Sequence, residues 1–428
     1  MDAAELAKQL DAAGNALKAA ALAVTGSTPI PPTPQGIKTA AELDAAIATA
    51  KPGDVLLIDP VLKYLTPLAI NVSVILANAS PTNGGRATRN DTLPSFKDGI
   101  LVNADGVQLI GLEVQKIDHL TDIVVINGAS CVLTGCRVLG DPALGAKRGI
   151  AGNAPHVTVR RCYVDDCFQA SPGNDSQAFA AWNSPGPFEL TDNYFSGGSE
   201  TILFGGADPS SAANVPTNIT ISGNTITKNP AWQSQNIGVK NCIELKNAIA
   251  VRIEDNDVSY SWGGHGQDGY LLMLTPRNQD GGAPYSVVND VTITNNRFSH
   301  AAAAIGMLGH DSPNTSQSLQ HVSLTDNDFT DLDPVTWTGT DKMIFVGDGP
   351  QQVTITGNLF HGAHIGSVVY LDGSPKAVGL TVTVNTFPPS TYGVMGSGCA
   401  PGTINNPNGS AWTTFVQGGT LAGNIEQA

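Results

Sequence analysis

The eight residues VTITNNRF, at positions 291–298, recur with small changes as VTITGNLF at positions 353–360. Each copy alternates apolar and polar residues before it reaches a turn, which is the pattern of a β-strand with one buried face. Ten such copies can be aligned, and their sixth positions follow one another at intervals of 24, 26, 31, 31, 32, 40, 31, 31 and 27 residues. This spacing predicts a repeat architecture in which every repeat packs on its neighbours.

The sixth position of the repeat is the most regular one. It is Leu112, Cys136 and Cys162 in the first three copies and asparagine in the other seven, namely Asn193, Asn224, Asn256, Asn296, Asn327, Asn358 and Asn385. An amide at the corner after a strand can hydrogen-bond to the amide of the next coil, so we interpret these asparagines as a structural ladder. The repeat is too long for one hairpin and too rich in strand residues for helical repeats. The sequence therefore predicts an all-β chain, folded as a single right-handed parallel β-helix of about ten coils.

Segments at both ends differ from the repeat. Residues 1–25 carry apolar residues at heptad spacing and predict an N-terminal helix for attachment or oligomerisation, and residues 26–36 are a Pro-rich linker. Residues 37–58 predict a helix that caps the solenoid, followed by a first strand. We assign 59–390 to the β-helix and 391–428 to a C-terminal tail or cap.

Charge and hydropathy exclude two classes of partner. The net charge of −15 would repel a phosphate backbone, so we expect no nucleic acid partner. Apolar runs all fall short of the roughly 18–20 residues that a membrane-spanning helix needs. The first residues also lack the basic start and apolar core of a signal peptide. We expect a virion or extracellular location, with a cytoplasmic one as the alternative. The six cysteines are too sparse for a disulfide scaffold, although a disulfide within 131–167 stays open.

A second strand in each coil is apolar on both of its faces, although one face of an exposed strand should be polar. Residues that we place on the outer face include Trp182, Leu272, Leu274, Leu308 and Leu371. Such a stripe needs a cover, which is either the long loops 207–218, 276–290 and 310–321 or another subunit. We expect a homo-oligomer, most simply a trimer, joined through residues 1–25 and this stripe.

The order of these segments resembles known right-handed β-helix proteins, among them polysaccharide lyases and phage tailspikes. A short helix, a linker and an acidic solenoid resemble the layout of a phage tailspike or another virion fibre. That resemblance implies attachment to a virion through the N-terminus and recognition of cell-surface glycans by the solenoid. A virion or surface fibre that binds glycans is therefore the first functional hypothesis.

Residues 240–282 are the densest polar segment and are similar to a segment of uncharacterised bacterial right-handed β-helix proteins. They also resemble, more distantly, chondroitinase B-like and alginate lyases. That resemblance implies Lys246 as the base, Arg277 as its partner and Glu244 as a ligand of calcium, the only cofactor indicated. A polysaccharide lyase or glycoside hydrolase acting on an acidic polysaccharide is therefore the alternative. The same three residues would equally form an ion-pair network that holds the loop 276–290 over the stripe.

Five further residues are candidates for carbohydrate binding. Asp348 and Asp372 end equivalent strands and can stack one coil apart, forming an acidic row with Asp311. Trp262 and Tyr285 are aromatic residues that could stack on sugars. The structural interpretation is that the aspartates serve turns and the aromatic residues serve packing. A purely structural β-helix protein is accordingly the third hypothesis.

Overall fold

The computed structural model describes residues 36–80, 84–116, 118–169, 174–235 and 237–427. The predicted helix over residues 1–25 and almost all of the linker over 26–36 lie outside the described residues. The described chain is wound into coils, and each complete coil contributes one strand to each of three long parallel sheets, called here sheets A, B and C.

Sheet A is formed by the repeated strands of the sequence analysis and by strands before and after them. Its strands are Asp54–Ile58, Val74–Asn78, Gln108–Ile110, Val132–Thr134, Val157–Arg160, Phe188–Thr191, Thr217–Ser222, Ala248–Glu254, Val288–Thr294, Leu319–Thr325, Gln351–Thr356, Ala377–Val378, Thr381–Thr383, Val416–Gln417 and Thr420–Ala422. The predicted right-handed parallel β-helix is confirmed, and coils are added at both ends of the ten predicted repeats.

Sheet B follows sheet A in each coil, immediately after the corner. Its strands are Lys63–Tyr64, Ser95–Phe96, Glu113–Gln115, Arg137–Leu139, Tyr163–Cys167, Tyr194–Gly197, Thr225–Thr227, Asp257–Ser261, Arg297–Ala301, Asp328–Leu332, Leu359–Gly362, Thr386–Phe387 and Ile425–Glu426. The loops that leave these strands vary in length.

Sheet C completes each coil before the chain returns to sheet A. Its strands are Leu68–Ile70, Ile100–Val102, Asp122–Ile126, Arg148–Gly152, Gln177–Ala181, Glu200–Phe204, Asn241–Leu245, Tyr270–Leu274, Ala303–Leu308, Lys342–Gly347, Ser367–Asp372 and Val394–Gly396. The remaining elements are a small hairpin, Gly263–Gly264 with Gln267–Asp268, the helices Ala40–Thr49, Ala231–Ser234 and Ser410–Phe415, and the 3-10 helix Ala212–Asn214. None of the helices in the described ranges is long and apolar enough to cross a membrane.

The core lies inside the solenoid and repeats from coil to coil. The eighth position of the repeat lies on sheet B, and on four successive strands it is occupied by Phe298, Phe329, Phe360 and Phe387. Their rings stack with centroid distances of 4.5, 4.6 and 5.2 Å, and all four are fully buried. Because a coil cannot bury this face by itself, the recurring letters are the ones that fit the same neighbours above and below.

The asparagines of the repeat form a hydrogen-bonded chain along the corner between sheets A and B. Oδ1 of Asn296 accepts from the backbone nitrogen of Asn256 at 3.0 Å and from its Nδ2 at 2.9 Å. Nδ2 of Asn296 donates to Oδ1 of Asn327 and to the carbonyl of Ile253, both at 2.9 Å. The same pattern links all seven predicted asparagines and continues to Asn424. Each buried amide therefore satisfies backbone groups that the turn leaves without partners.

The two ends of this ladder are closed by different residues. Asn193 accepts from the backbone nitrogen of Cys162 at 2.9 Å, and the sulfur of Cys162 accepts in turn from the nitrogen of Cys136 at 3.4 Å. At the other end, the side chain of Asn405 accepts from the nitrogen of Asn424 and donates to its carbonyl, both at 2.8 Å. All six cysteines are free thiols, so the disulfide left open within 131–167 is not formed.

A helix covers the first coils of the solenoid, close to the position predicted from the sequence. Ala40–Thr49 begins with a capping box, in which the Thr39 side chain and the Glu42 side chain each bond the other's backbone nitrogen. Leu43 is fully buried in the main core, and Asp44 accepts a hydrogen bond of 2.7 Å from the hydroxyl of Tyr64. The helix thus shields apolar residues at the end of the solenoid from water.

The predicted outer stripe of sheet C is partly wrong. Leu272, Leu274 and Leu371 lie inside the solenoid and are fully buried in the main core. Their strands are shifted by one residue relative to the prediction, which reverses the two faces. The reason is that both faces are apolar here, so alternation carried no information on phase. Trp182 and Leu308, in contrast, are half-buried on the outer face.

The outer stripe of sheet C is nevertheless largely apolar. Its members pair in register and are Leu101, Val125, Ala151, Ala180, Leu203, Glu244, Met273, Gly306, Phe345, Tyr370 and Met395. Part of it is covered by the chain itself, because Met273 lies across Gly306 so closely that a Cβ atom on the glycine would come within 2.9 Å of it. Phe345 and Tyr370 stay half-exposed.

Candidate functional site

A groove on the outer face of sheet B is the candidate site. It contains a cavity of about 330 Å³ between an arm formed by residues 84–94 and the segment that carries the helix Ala231–Ser234. The lining residues that matter for its chemistry are Arg89, Asp165, Asp166, Tyr194, Lys228 and Tyr260. We call this the sheet B groove. Its volume is at the lower end of the range of small-molecule sites.

Two tyrosines form a stacked pair at the sheet B groove, and one of them, Tyr194, lines the cavity. Tyr163 and Tyr194 occupy the same position of neighbouring strands, so their rings lie 4.5 Å apart and nearly parallel, at 5°. Both side chains are half-buried. Burial raises the pKa of both hydroxyls above the usual value, and the nearby Asp165 contributes in the same direction. Each ring covers one face of the other, and both hydroxyls are neutral at ordinary pH.

Two consecutive carboxylates stand beside the tyrosine pair. Asp165 and Asp166 both contact Nη2 of Arg89, at 2.6 and 2.8 Å, and Asp165 also accepts from the hydroxyl of Tyr163 at 2.8 Å. A bulge in the strand after Val164 brings both side chains toward the arginine, with Asp166 in the left-handed region at φ 57°. Burial raises the pKa of Asp166, and the charge of Asp165 raises it further.

The arm that carries Arg89 is held by a buried arginine. Nη1 of Arg137 donates to the carbonyls of Thr88, Arg89 and Asp91 at 3.0, 2.9 and 2.8 Å. Its Nε and Nη2 atoms both bind Oε2 of Glu113, the former at 2.9 Å. One guanidinium thus binds three carbonyls within residues 88–91 and positions Arg89 over the groove.

Glu113 completes the network that anchors the arm. It accepts from the hydroxyl of Ser95 at 2.7 Å and from the ammonium of Lys97 at 2.8 Å, in addition to Arg137. Burial alone would raise the pKa of this carboxyl, but the contacts with Lys97, Ser95 and Arg137 outweigh burial and hold the pKa at about 2. The carboxylate therefore stays charged at any ordinary pH.

Lys228 lies under one edge of the groove. Its ammonium donates to the carbonyls of Gly197, Gly198 and Ser199 at 3.0, 2.7 and 3.1 Å, and the side chain is 1% exposed. Burial lowers the pKa of Lys228 to about 8. These contacts fix the tight turn at 197–199 that closes the groove wall.

A second aromatic group lies at the other end of the cavity. Tyr260 stacks on His300 at 4.8 Å and 20°, and Trp337 meets Tyr260 edge-on at 5.6 Å. Asp331 binds Nδ1 of His300 at 2.6 Å and accepts from Nε1 of Trp337 at 3.2 Å. The three rings, which we call the aromatic cluster, are half-buried and are held in place by one carboxylate.

The wall behind the aromatic cluster is a small separate core. It consists of Phe168, Trp232, Ile237, Val239 and Trp262. Trp262, predicted to stack on sugars, is only 4% exposed and packs within this core. Its observed contacts are those of a residue that shapes the groove wall.

The residues predicted for lyase chemistry are divided between two ion pairs. The backbone nitrogen of Arg277 donates to the carbonyl of Lys246 at 3.1 Å, so the two lie on neighbouring coils as expected. Their side chains separate, however, because Lys246 pairs with Glu244 at 3.3 Å and Arg277 with Asp311 at 2.6 Å. Asp311 also accepts from the backbone nitrogen of Asn278 at 3.0 Å, which ties the loop 276–290 to the next coil.

The surroundings of Glu244 do not fit calcium. The ammonium of Lys246 already supplies a positive charge beside Oε1 of Glu244. Its Oε2 accepts from the amide of Asn241 at 3.1 Å. Within the described ranges, no group of three or more His, Cys, Asp or Glu side chains is arranged to hold a metal ion. Glu244 is instead a buried, paired carboxylate in the outer stripe of sheet C.

The other predicted carbohydrate-binding residues also lie away from the sheet B groove. Asp348 and Asp372 end neighbouring strands of sheet C, and the nitrogen of Asp348 donates to the carbonyl of Asp372 at 3.3 Å. Tyr285 donates its hydroxyl to the carbonyl of Pro209 at 2.7 Å and is half-buried. The structure thus brings together Asp348 and Asp372, as predicted, but places them at a corner remote from the tyrosine pair.

Sequence reasoning missed the groove itself. A signal for the tyrosine pair was present, because Tyr163 and Tyr194 share the seventh letter of adjacent repeats. The pair Asp165 and Asp166 follows directly in the same strand. Arg89 gave no such signal, since its contacts with the acids bridge more than seventy residues of sequence.

Comparison with known proteins identifies structures but no family. No protein-family model and no curated protein matches the chain. Among solved structures, the chain is similar to the Dettilon tailspike protein, with 15% identity and a TM-score of 0.48 over 90% of this chain and 64% of that one. It thus spans less than two thirds of the tailspike's length.

Two further structures show a similar degree of likeness. The catalytic unit of a GH87 α-1,3-glucanase from Streptomyces thermodiastaticus has 16% identity and a TM-score of 0.48, over 93% of this chain and 67% of the glucanase. The surface protein and adhesin PfbA of Streptococcus pneumoniae has 13% identity and a TM-score of 0.46, over 83% of this chain and 94% of PfbA. Similarity at this level assigns no activity.

Proposed function

We propose that this β-helix protein recognises a glycan in the sheet B groove. The observation that carries the proposal is Tyr194, an aromatic ring that lines the cavity and is held by stacking on Tyr163, beside the hydrogen-bonding groups of Asp165, Asp166 and Arg89. A sugar ring has an apolar face of C–H groups and an edge of hydroxyls, so it needs both kinds of surface at once. Apolar walls with a few placed polar groups are typical of small-molecule sites.

The replacement Tyr194→Ala is expected to weaken glycan binding roughly 10- to 100-fold, because it removes the aromatic ring of the pair that lines the cavity. The measurement is retention on an array of immobilised glycans followed by titration of the best binder. Trp182→Ala is the matched control, since Trp182 is a half-buried aromatic residue on the outer face of sheet C. Equal binding by Tyr194→Ala and the wild type would exclude the groove as the site.

A virion or surface fibre is the setting that we propose for this recognition. The heptad spacing over residues 1–25 supports association into a homo-oligomer, most simply a trimer, with attachment through the N-terminus. The half-exposed Phe345 and Tyr370 offer an apolar contact on sheet C.

Light scattering at micromolar concentration tests the proposed assembly. We expect the intact chain to have an oligomeric mass, and a chain that lacks residues 1–36 to dissociate toward the monomer. The physical reason is that burying a few large apolar side chains contributes about 1.5–3 kcal/mol each. A monomeric mass for the intact chain contradicts the proposal.

Glycan cleavage is the second candidate function. One observation favours it: the carboxylates of Asp165 and Asp166 both contact the same guanidinium nitrogen in the groove. The pKa of Asp166 is raised. Paired carboxylates in unequal environments are the arrangement of glycoside hydrolases. Lys246 and Arg277 lie outside the sheet B groove, and their assignment to lyase chemistry stays a prediction. New reducing ends without an unsaturated uronate, in the incubations of the binding assay, would indicate hydrolysis; an unsaturated uronate would indicate the lyase.

A further inference from the structure

We infer that the sheet B groove takes an extended neutral oligosaccharide, a trisaccharide or longer, that runs along the solenoid axis. The tyrosine pair would hold one sugar unit, and the aromatic cluster of Tyr260, His300 and Trp337 would hold another. This inference rests on the proposed function and adds the length, the direction and the charge of the ligand.

The distance between the two aromatic surfaces sets the length of the ligand. The strand of Tyr194 pairs with the strand Thr225–Thr227, which pairs with the strand that carries Tyr260. Two coils separate the rings, which corresponds to about 10 Å along the axis. Because one pyranose ring is narrower than this distance, a single sugar cannot contact both surfaces. Tyr194 and Tyr260 nevertheless line the same cavity, so both rings border one continuous space.

The floor between the two aromatic surfaces is polar. Ser196, Thr227 and Ser259 occupy the same position on three successive strands, between the tyrosine pair and the aromatic cluster. The hydroxyls of Thr227 and Ser259 are 2.9 Å apart. Ser196 is only 1% exposed, whereas Thr227 is 9% exposed and Ser259 is half-buried, so the hydroxyls of Thr227 and Ser259 are the ones that can exchange hydrogen bonds with a sugar unit that bridges the two ends.

The aromatic cluster is ordered before any ligand arrives. Asp331 binds both His300 and Trp337, so neither ring is free to rotate away. Tyr260 is held between them by stacking and by an edge contact. Fixing such side chains in advance lowers the entropy lost on binding, which is expected of a binding surface.

The charges of the groove favour a neutral ligand. Arg89 is already paired with two carboxylates, and the ammonium of Lys228 is buried among three backbone carbonyls. The cations of the cavity are thus committed to partners within the protein. The chain as a whole carries a net charge of −15, which repels an acidic polysaccharide.

The test compares glycans of increasing length on an array of neutral and acidic glycans, from monosaccharides to octasaccharides. We expect the affinity of the wild type for neutral glycans to rise up to at least the trisaccharide. His300→Ala and Trp337→Ala should lose this rise, roughly tenfold for the longer glycans, and bind the shorter ones as the wild type does. Tyr194→Ala should lose affinity for all lengths, and Trp182→Ala for none.

The outcomes separate this inference from the proposed function. If the wild type binds glycans but His300→Ala and Trp337→Ala match it at every length, the inference is wrong and the proposed function stands. Preference for acidic glycans over neutral ones would also overturn it. If no glycan on the array binds, both fail. Thermal unfolding of each variant shows that it is folded, and His300→Ala, at a half-exposed position, keeps the test valid if Trp337→Ala disturbs its neighbours.

Discussion

Asn296→Ala is expected to lower the free energy of unfolding by about 3–5 kcal/mol, because several buried backbone groups lose their partners at once. Its side chain accepts from the backbone nitrogen and the amide of Asn256, and donates to Asn327 and to the carbonyl of Ile253. Alanine replaces none of these bonds. Urea unfolding followed by circular dichroism measures the change.

Two variants serve as controls for the ladder. Thr292→Ala, at an exposed position of the strand that precedes Asn296, should change stability by no more than about 0.5 kcal/mol. Asn193→Cys should cost less than Asn296→Ala, since Cys162 already occupies this ladder position and its sulfur accepts a backbone N–H. A cost for Asn296→Ala no larger than that of Thr292→Ala would show that the ladder contributes little.

Arg137→Met is expected to have a comparable effect and also to abolish glycan binding, although Arg137 does not line the cavity. Removing the guanidinium takes away both of its bonds to Oε2 of the buried Glu113, which keeps Lys97 and Ser95, and frees three carbonyls of the arm, at a cost of about 3–5 kcal/mol. The arm should then detach and withdraw Arg89 from Asp165. Proteolysis within residues 84–94 should become faster, and the melting temperature should fall.

An exposed ion pair provides the control for this prediction. The pH dependence of the stabilisation by Glu113 gives a second measurement. Arg297→Met removes a pair with Asp257 whose arginine is 73% exposed, so stability should hardly change. The folded pKa of Glu113, about 2, lies below its ordinary value. Its stabilisation is therefore present above about pH 4.5 and is lost as the pH falls toward 2. The stabilities of the wild type and Arg137→Met should converge over this window; a constant difference would contradict the assigned role of Glu113.

The fold could be predicted from the sequence because its physics is repetitive. Phe298, Phe329 and Phe360 occupy the same position of successive coils, so the same letters recur at a regular spacing that can be read from the sequence. The phase of the strand Tyr270–Leu274 in sheet C could not be predicted, because Leu272 and Met273 are equally apolar and alternation distinguishes the two faces only where one of them is exposed to water. On the neighbouring strand, Gly306 leaves room for the Met273 side chain on the outer face of sheet C.

The candidate site was harder to predict because it depends on contacts between distant segments. Tyr163 and Tyr194 could have been paired from the repeat alone. Arg89 could not, because its position depends on how Arg137 captures the arm, and nothing in the spacing of the sequence records that contact. Charged residues about one coil apart in the sequence were easier to pair, yet Lys246 and Arg277 each bind a different carboxylate.

The closure of the asparagine ladder by Asn405 has a consequence for how such a chain can change in evolution. Asn405 belongs to the cap and not to a coil. It would therefore hydrogen-bond to the last asparagine of the ladder, whichever coil carried it. The 31 residues from Asn296 to Asn327 make one complete coil, so duplicating or deleting that unit leaves every amide with a neighbour on each side. The number of coils, and with it the length of the molecule, can thus vary by whole units between two constant ends.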